Sequence, residues 1–283
     1  MVAEISAKDV KALRDQTGAG MMDCKTALKD GEGDVERAMD LLRERGLSKA
    51  VKRAGRATSE GAVAVSIDGG FGVMIELGCE TDFVAKNDQF QKLVQGIADA
   101  LRASGDAIDV ESALAAKIES ETVDEYIKAA VGRVGENIQL KRVGSIRVDG
   151  IVGSYIHGGG KLGVMVGLTS ASPEAVAGAA KDLAMHVAAA DPTPMAVNQD
   201  GLDPSVVEKE RTILRNQALE SGKPENIVEN MVNGRLKKFF AESCLVEQAF
   251  VKNPDQSVGE FLASAGEASV SEFLRFKLGE DAE

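Results

Sequence analysis

The chain has 283 residues, enough for two domains or one domain with appendages, and is 44% hydrophobic but only 4% aromatic, so its core must be mainly aliphatic. A net charge of −12 argues against broad phosphate binding and suits a protein partner. Cys24, Cys79 and Cys244 form no CxxC pair, no signal peptide is seen, and no apolar run is long enough to span a membrane, so a reduced, cytoplasmic protein is expected.

Residues 4–46 read as three short helices. Ser6 with Asp9 makes a capping box, and Ile5 with Val10 a hydrophobic staple. The segment Thr17-Gly18-Ala19-Gly20 breaks the first helix. Met21, Cys24 and Leu28 form a stripe on the second. Asp34 caps a third, with Val35, Ala38, Met39 and Leu42 on one face, and Gly46 is expected to end it. Met21 and Met22 are helix neighbours and cannot point the same way. Either both are partly buried, or one is left as an adaptable apolar contact. Residues 47–59 are polar and basic and read as a fraying helical linker, more a solvated face than a nucleic-acid site.

The core begins near Glu60. Residues 62–67 and 71–79 read as a hairpin turned at Asp68-Gly69-Gly70, the second strand alternating as a half-buried strand does. Thr81-Asp82-Phe83-Val84 then belongs to neither strand nor helix. Asp88, with Gln91 three residues on, is expected to cap the next helix. Residues 111–131 read as a second helix, and residues 138–148 as the start of a second copy of the unit. Residues 150–157 and 162–169 form that copy's hairpin around Gly158-Gly159-Gly160, and 173–190 its helix.

The repeat is visible in the letters. Residues 162–169, LGVMVGLT, align with 71–78, FGVMIELG. Ser172, at the start of the second helix, lies three residues after Thr169, while Asp88 lies ten after Gly78, so the first copy carries seven additional residues. A Phe at a strand end ordinarily folds back to close the core, and Asp82 could cap a turn. An insertion on a rigid sheet more often touches something.

Residues 203–241 read as an antiparallel helical hairpin, with Val207, Leu214 and Ala218 facing Val228, Val232, Leu236 and Phe239 across a narrow seam. The turn is placed at Ser221-Gly222-Lys223-Pro224. The chain then returns through 245–252, a short helix at 257–264 and a last strand at 273–278. The fold class is thus α+β. The expected divisions are a bundle at 1–47, a linker at 48–59, core subdomains at 60–140 and 141–202, a projecting hairpin at 203–241, and a return to the core at 242–283.

Signals for covalent chemistry are poor. His157-Gly158-Gly159-Gly160 imitates a lipase oxyanion loop, but no G-x-S-x-G supplies a nucleophile. There is no Walker A motif, and two histidines and three cysteines at wide spacing make no zinc site. No cofactor and no metal are expected. A passive binding module and a small-molecule enzyme both stay open as function classes.

Residues 11–28, KALRDQTGAGMMDCKTAL, and Thr81-Asp82-Phe83-Val84 resemble the two signatures of bacterial elongation factor Ts. VGENI at 134–138, SYIHGG at 154–159 and MHVAAA at 185–190 are similar as well, so the resemblance covers nearly the whole chain. It implies a guanine-nucleotide exchange factor for elongation factor Tu, without covalent catalysis. The implied architecture is a ubiquitin-associated-like three-helix bundle, two repeated subdomains of antiparallel sheet and helices, and a protruding hairpin. Asp82 and Phe83, flanked by Thr81 and Val84, match the segment that enters the partner and disturbs its magnesium site. Lys11, Arg14, Met21 and Met22 match contacts of the bundle. Val134, Gly135 and His157 match contacts of the core, though His157 reads equally well as a turn residue. The resemblance implies no direct nucleic-acid or membrane partner, and leaves open a homodimer or a 2:2 complex. Because the sequence stops at Glu283, contacts of the C-terminal module that some members carry are not expected.

Overall fold

A computed structural model describes residues 5–105, 109–220 and 224–280, apart from the side chain of Asn226. The chain opens with helices α1 (Ala7–Thr17), α2 (Met21–Asp30) and α3 (Val35–Arg53). Ser6 and Asp9 form the reciprocal capping box, and Gly18, in the left-handed region at φ 67°, closes α1. Val10, Leu13, Cys24, Ala27, Leu28 and Ala38 make a small core with Ile5 packed on it. One expectation fails here: Gly46 does not end α3, which continues to Arg53. Gly46 is buried where α3 crosses a later helix, and a backbone-to-backbone approach, not a stop, explains the glycine.

The first half of the core contains β1 (Glu60–Asp68), β2 (Phe71–Cys79), a single turn α4 (Asp82–Ala85) and α5 (Asp88–Ser104). Then come α6 (Val110–Ala115), the two-residue strands β3 (Lys117–Ile118) and β4 (Glu121–Thr122), α7 (Val123–Val134) and β5 (Ile138–Arg147). Asn87, not Asp88, caps α5, accepting the Gln89 N–H at 2.8 Å. The segment 111–131 is not one helix. It breaks after Ala115, with Glu119 in the left-handed region at φ 55°, and Thr122 with Glu125 restarts a helix by a second capping box. Nor does β5 open the second copy. It runs antiparallel along β2 and completes a sheet of order β1-β2-β5.

The second half repeats this plan. β6 (Gly150–His157) and β7 (Leu162–Thr169) form the hairpin, and α8 (Pro173–Ala189) covers it. The antiparallel helices α9 (Pro204–Glu220) and α10 (Glu225–Ser243) follow, then β8 (Ala249–Phe250), β9 (Asn253–Ser257) and α11 (Val258–Gly266). The last strand, β10 (Ser269–Lys277), pairs with β7 in a sheet of order β10-β7-β6. Leu214, Ala218, Val228, Val232 and Leu236 form the seam of the α9–α10 pair. Of its expected turn, Ser221, Gly222 and Lys223 lie outside the described residues, and Pro224 directly precedes α10. No described helix is long and apolar enough to cross a membrane.

The two sheets pack face to face, and this explains the repeated Gly-Val-Met. Val73, Ile75 and Leu77 point to α5, and Val164, Val166 and Leu168 to α8. Met74 and Met165 point the other way, into the layer between the sheets, with Val63, Ile146, Val152 and Phe276. A side chain on Gly72 would meet the Met165 sulfur at 3.0 Å, and one on Gly163 the Met74 sulfur at 3.0 Å. Each copy's glycine thus makes room for the other copy's methionine. β2 is therefore buried on both faces, not half-buried. Its one acidic side chain, Glu76, is paired with Arg142, which also donates to the Lys277 carbonyl at 2.8 Å and lies over the Phe276 ring.

Candidate functional site

The residues after β2 are held from below. Cys79 is buried, its Sγ 3.2 Å from the Thr81 carbonyl oxygen, and burial pushes its thiol up to about 12, so it is an anchor and not a nucleophile. Thr81 caps α4: its hydroxyl oxygen accepts the Val84 N–H at 3.4 Å. Ala85 is buried and Val84 packs against the first sheet's core. A single helical turn cannot send all its side chains inward, and Phe83 is left 84% exposed. That forgoes about 1.5–3 kcal/mol of burial for a Phe. Asp82 to Val84 thus lie in a one-turn helix capped by Thr81, where the sequence suggests an irregular loop.

Charged residues flank Phe83 in the chain. Asp82 accepts from Lys86 Nζ at 2.7 Å, and this bond holds its carboxyl below the usual range, with Lys161 adding to the effect. Lys86 is raised by the same bond. Glu80 accepts the Asn137 N–H at 2.6 Å, which keeps its carboxyl low, and Arg56 joins it at 3.3 Å.

Several expected site residues come together here. Val134 ends α7, and Gly135, at φ 86°, closes it by donating to the Val131 carbonyl at 2.9 Å. The next residue, Glu136, takes the Thr81 N–H at 3.0 Å and the Thr81 hydroxyl at 2.7 Å. Residues 134–137 therefore lie against residues 80–81. His157 is exposed at the end of β6, with Nδ1 3.0 Å from the Tyr155 hydroxyl, and Lys161, in the turn beyond it, is near enough to act on Asp82.

The bundle's residues form a separate surface. Lys11 and Arg14 are exposed on α1, and Met21 and Met22 are 45% and 70% exposed at the start of α2. Both methionines are open, not one. Among the described residues, no hydrogen bond or ion pair joins these four to residues 81–84.

Glu80, Glu136 and Asn137, which hold this turn in place, carry no signal of that role in the sequence. An acidic residue after a capping glycine reads as surface charge, and nothing local reveals its partner 55 residues away. Among the described residues no group of three or more His, Cys, Asp or Glu could hold a metal ion.

Comparison with known proteins agrees along the chain. The family described as Elongation factor TS matches residues 80–280. The chain is 46% identical over 296 aligned positions to Elongation factor Ts of Parvibaculum lavamentivorans (strain DS-1), an alignment spanning 100% of this chain and 95% of that protein.

Proposed function

This chain belongs to the elongation factor Ts family, and from that premise we propose that it is the guanine-nucleotide exchange factor of elongation factor Tu, acting in the cytoplasm. The observation that carries the mechanism is Phe83, an exposed ring on a braced turn. Its partner's nucleotide and Mg²⁺ are held by loops whose positions depend on the helices beneath them. A ring inserted between those helices favours an arrangement that holds both poorly, and GDP leaves. Because the turn is already ordered, little freedom is lost when Phe83 docks.

Thr81, Asp82 and Val84 shape that insertion, Asp82 acting as a carboxylate beside the partner's metal site. Val134, Gly135 and His157 extend the contact on the core, while Lys11, Arg14, Met21 and Met22 give the bundle its own attachment. The methionines suit an apolar surface of irregular shape. No covalent bond is made or broken, so no nucleophile, cofactor or resident metal is needed.

Release of labelled GDP from elongation factor Tu, with and without this protein, is the direct test. Coupling adds a second. A factor that weakens the hold on GDP must itself be held more weakly by the GDP form, to the same degree. Calorimetry should find tightest binding to the nucleotide-free partner, weaker binding with GDP, and the weakest with GDP and Mg²⁺. Equal dissociation constants for the three forms would mean passive binding.

A further inference from the structure

We propose that Glu136 is a positioning residue for exchange: it fixes Phe83 relative to α7 and, through α7, to the three-helix bundle. The inference rests on the exchange reading above. The Phe83 ring is exposed and contributes little to holding its own turn. The turn is defined by its cap, Thr81, and both polar hydrogens of Thr81 go to one carboxylate, that of Glu136. Bonds to a charged acceptor are roughly twice as strong as neutral ones, and two bonds to one group set direction as well as distance.

The clamp runs both ways. Thr81 N–H donates to the Glu136 carboxylate, and Asn137 N–H donates to the Glu80 carboxylate at 2.6 Å. Two adjacent residues of each segment thus grip two adjacent residues of the other. Asn137 is buried, and its Nδ2 donates to the Arg56 carbonyl at 2.7 Å, just past the end of α3, while the Arg56 side chain reaches Glu80. The ends of α3, β2 and α7 meet in this one polar cluster. Four residues before Glu136, Gly132 carries the crossing with α3. One helix, α7, therefore supports both candidate surfaces: the bundle at Gly132 and the Phe83 turn at Glu136.

The test is GDP release from elongation factor Tu by Glu136→Ala, Glu136→Gln, Phe83→Ala and the Glu136→Ala/Phe83→Ala double variant, with thermal unfolding of each. Misplacing a group by about 1 Å can cost about 100-fold, but a residue that acts through Phe83 can cost no more than loss of the ring, so Glu136→Ala should slow exchange by about 10- to 30-fold. Glu136→Gln should recover most of this, because its Oε1 can accept the Thr81 N–H and its Nε2 can donate to the Thr81 hydroxyl oxygen. In the double variant, loss of Glu136 should cost far less than it does alone, since the ring is the main contact that Glu136 positions. Additive losses, or an unchanged rate in Glu136→Ala, would overturn the proposal. Should Glu136→Ala not fold, Glu136→Asp, which draws the carboxylate back by one methylene and leaves the Thr81 cap in place, carries the same cycle. Failure of the wild-type chain to accelerate release would instead sink the exchange reading itself.

Discussion

A side chain on Gly132 would place its β-carbon 2.6 Å from the Gly46 Cα, whereas one on Gly46 would sit 3.6 Å from the Gly132 Cα. The crossing of α3 and α7 is thus asymmetric, and the two glycines should respond oppositely to the same change. Gly46→Ala gains helix propensity, about 0.5–1 kcal/mol, and meets only an ordinary van der Waals contact. Gly132→Ala has the same gain but drives into backbone, and overpacking costs about 1–3 kcal/mol. Urea unfolding should show the first variant stabilised and the second destabilised. Equal shifts would show that the helices do not meet as described.

Phe83→Ala should leave stability within about 0.5 kcal/mol of the wild type, as expected for a side chain with so little burial. Truncating a central anchor of an interface costs at least about 2 kcal/mol, so nucleotide release should slow by about 30-fold. Denaturant titration and stopped-flow GDP release separate the two effects. A large loss of stability with normal exchange would mean that the ring closes the core after all.

Acid should weaken the second subdomain through His186. Its Nδ1 accepts the Val251 N–H at 3.2 Å, so its proton sits on Nε2, which donates to Gln248 Oε1 at 2.9 Å. Gln248 in turn donates to the Pro192 and Glu242 carbonyls at 2.9 and 2.7 Å, tying α8 to the end of α10. Burial holds the imidazole below its ordinary value of 6.5. The folded protein thus disfavours the charged form: this stability is complete above pH 6.5 and declines as pH falls toward the folded value. NMR titration of the His186 ring should give a midpoint below 6.5, and urea midpoints should fall between about pH 7 and about pH 5. A ring that titrates at 6.5 or above would contradict the burial argument.

The α9–α10 pair should be removable. Its seam is internal, and among the described residues its base packs elsewhere through Val207, Phe239 and Phe240 against Ala196, Leu202 and Cys244. Replacing residues 209–237 with a short glycine-serine linker keeps that base. Calorimetry should still show one cooperative transition. A chain that no longer unfolds cooperatively would make the pair part of the core.

What the sequence determined alone is whatever depends on neighbours a few residues apart. Ser6 with Asp9 marked the start of α1, period-2 alternation marked β2, and the aligned Gly-Val-Met runs marked two copies of one unit. The excess of residues after Gly78 singled out Phe83. The rest depended on chain segments meeting from afar. Gly46 reads as a helix stop until α7 lies on it, and β5 reads as the start of the next unit until it pairs with β2. Met74 reads as a solvent-side residue until Gly163 makes room for it. Glu136 reads as surface charge until Thr81 arrives. Local rules see one turn of helix or one pleat of strand. The close approach of two backbones, and the partner of a half-buried carboxylate, are set only when the packed layers come together.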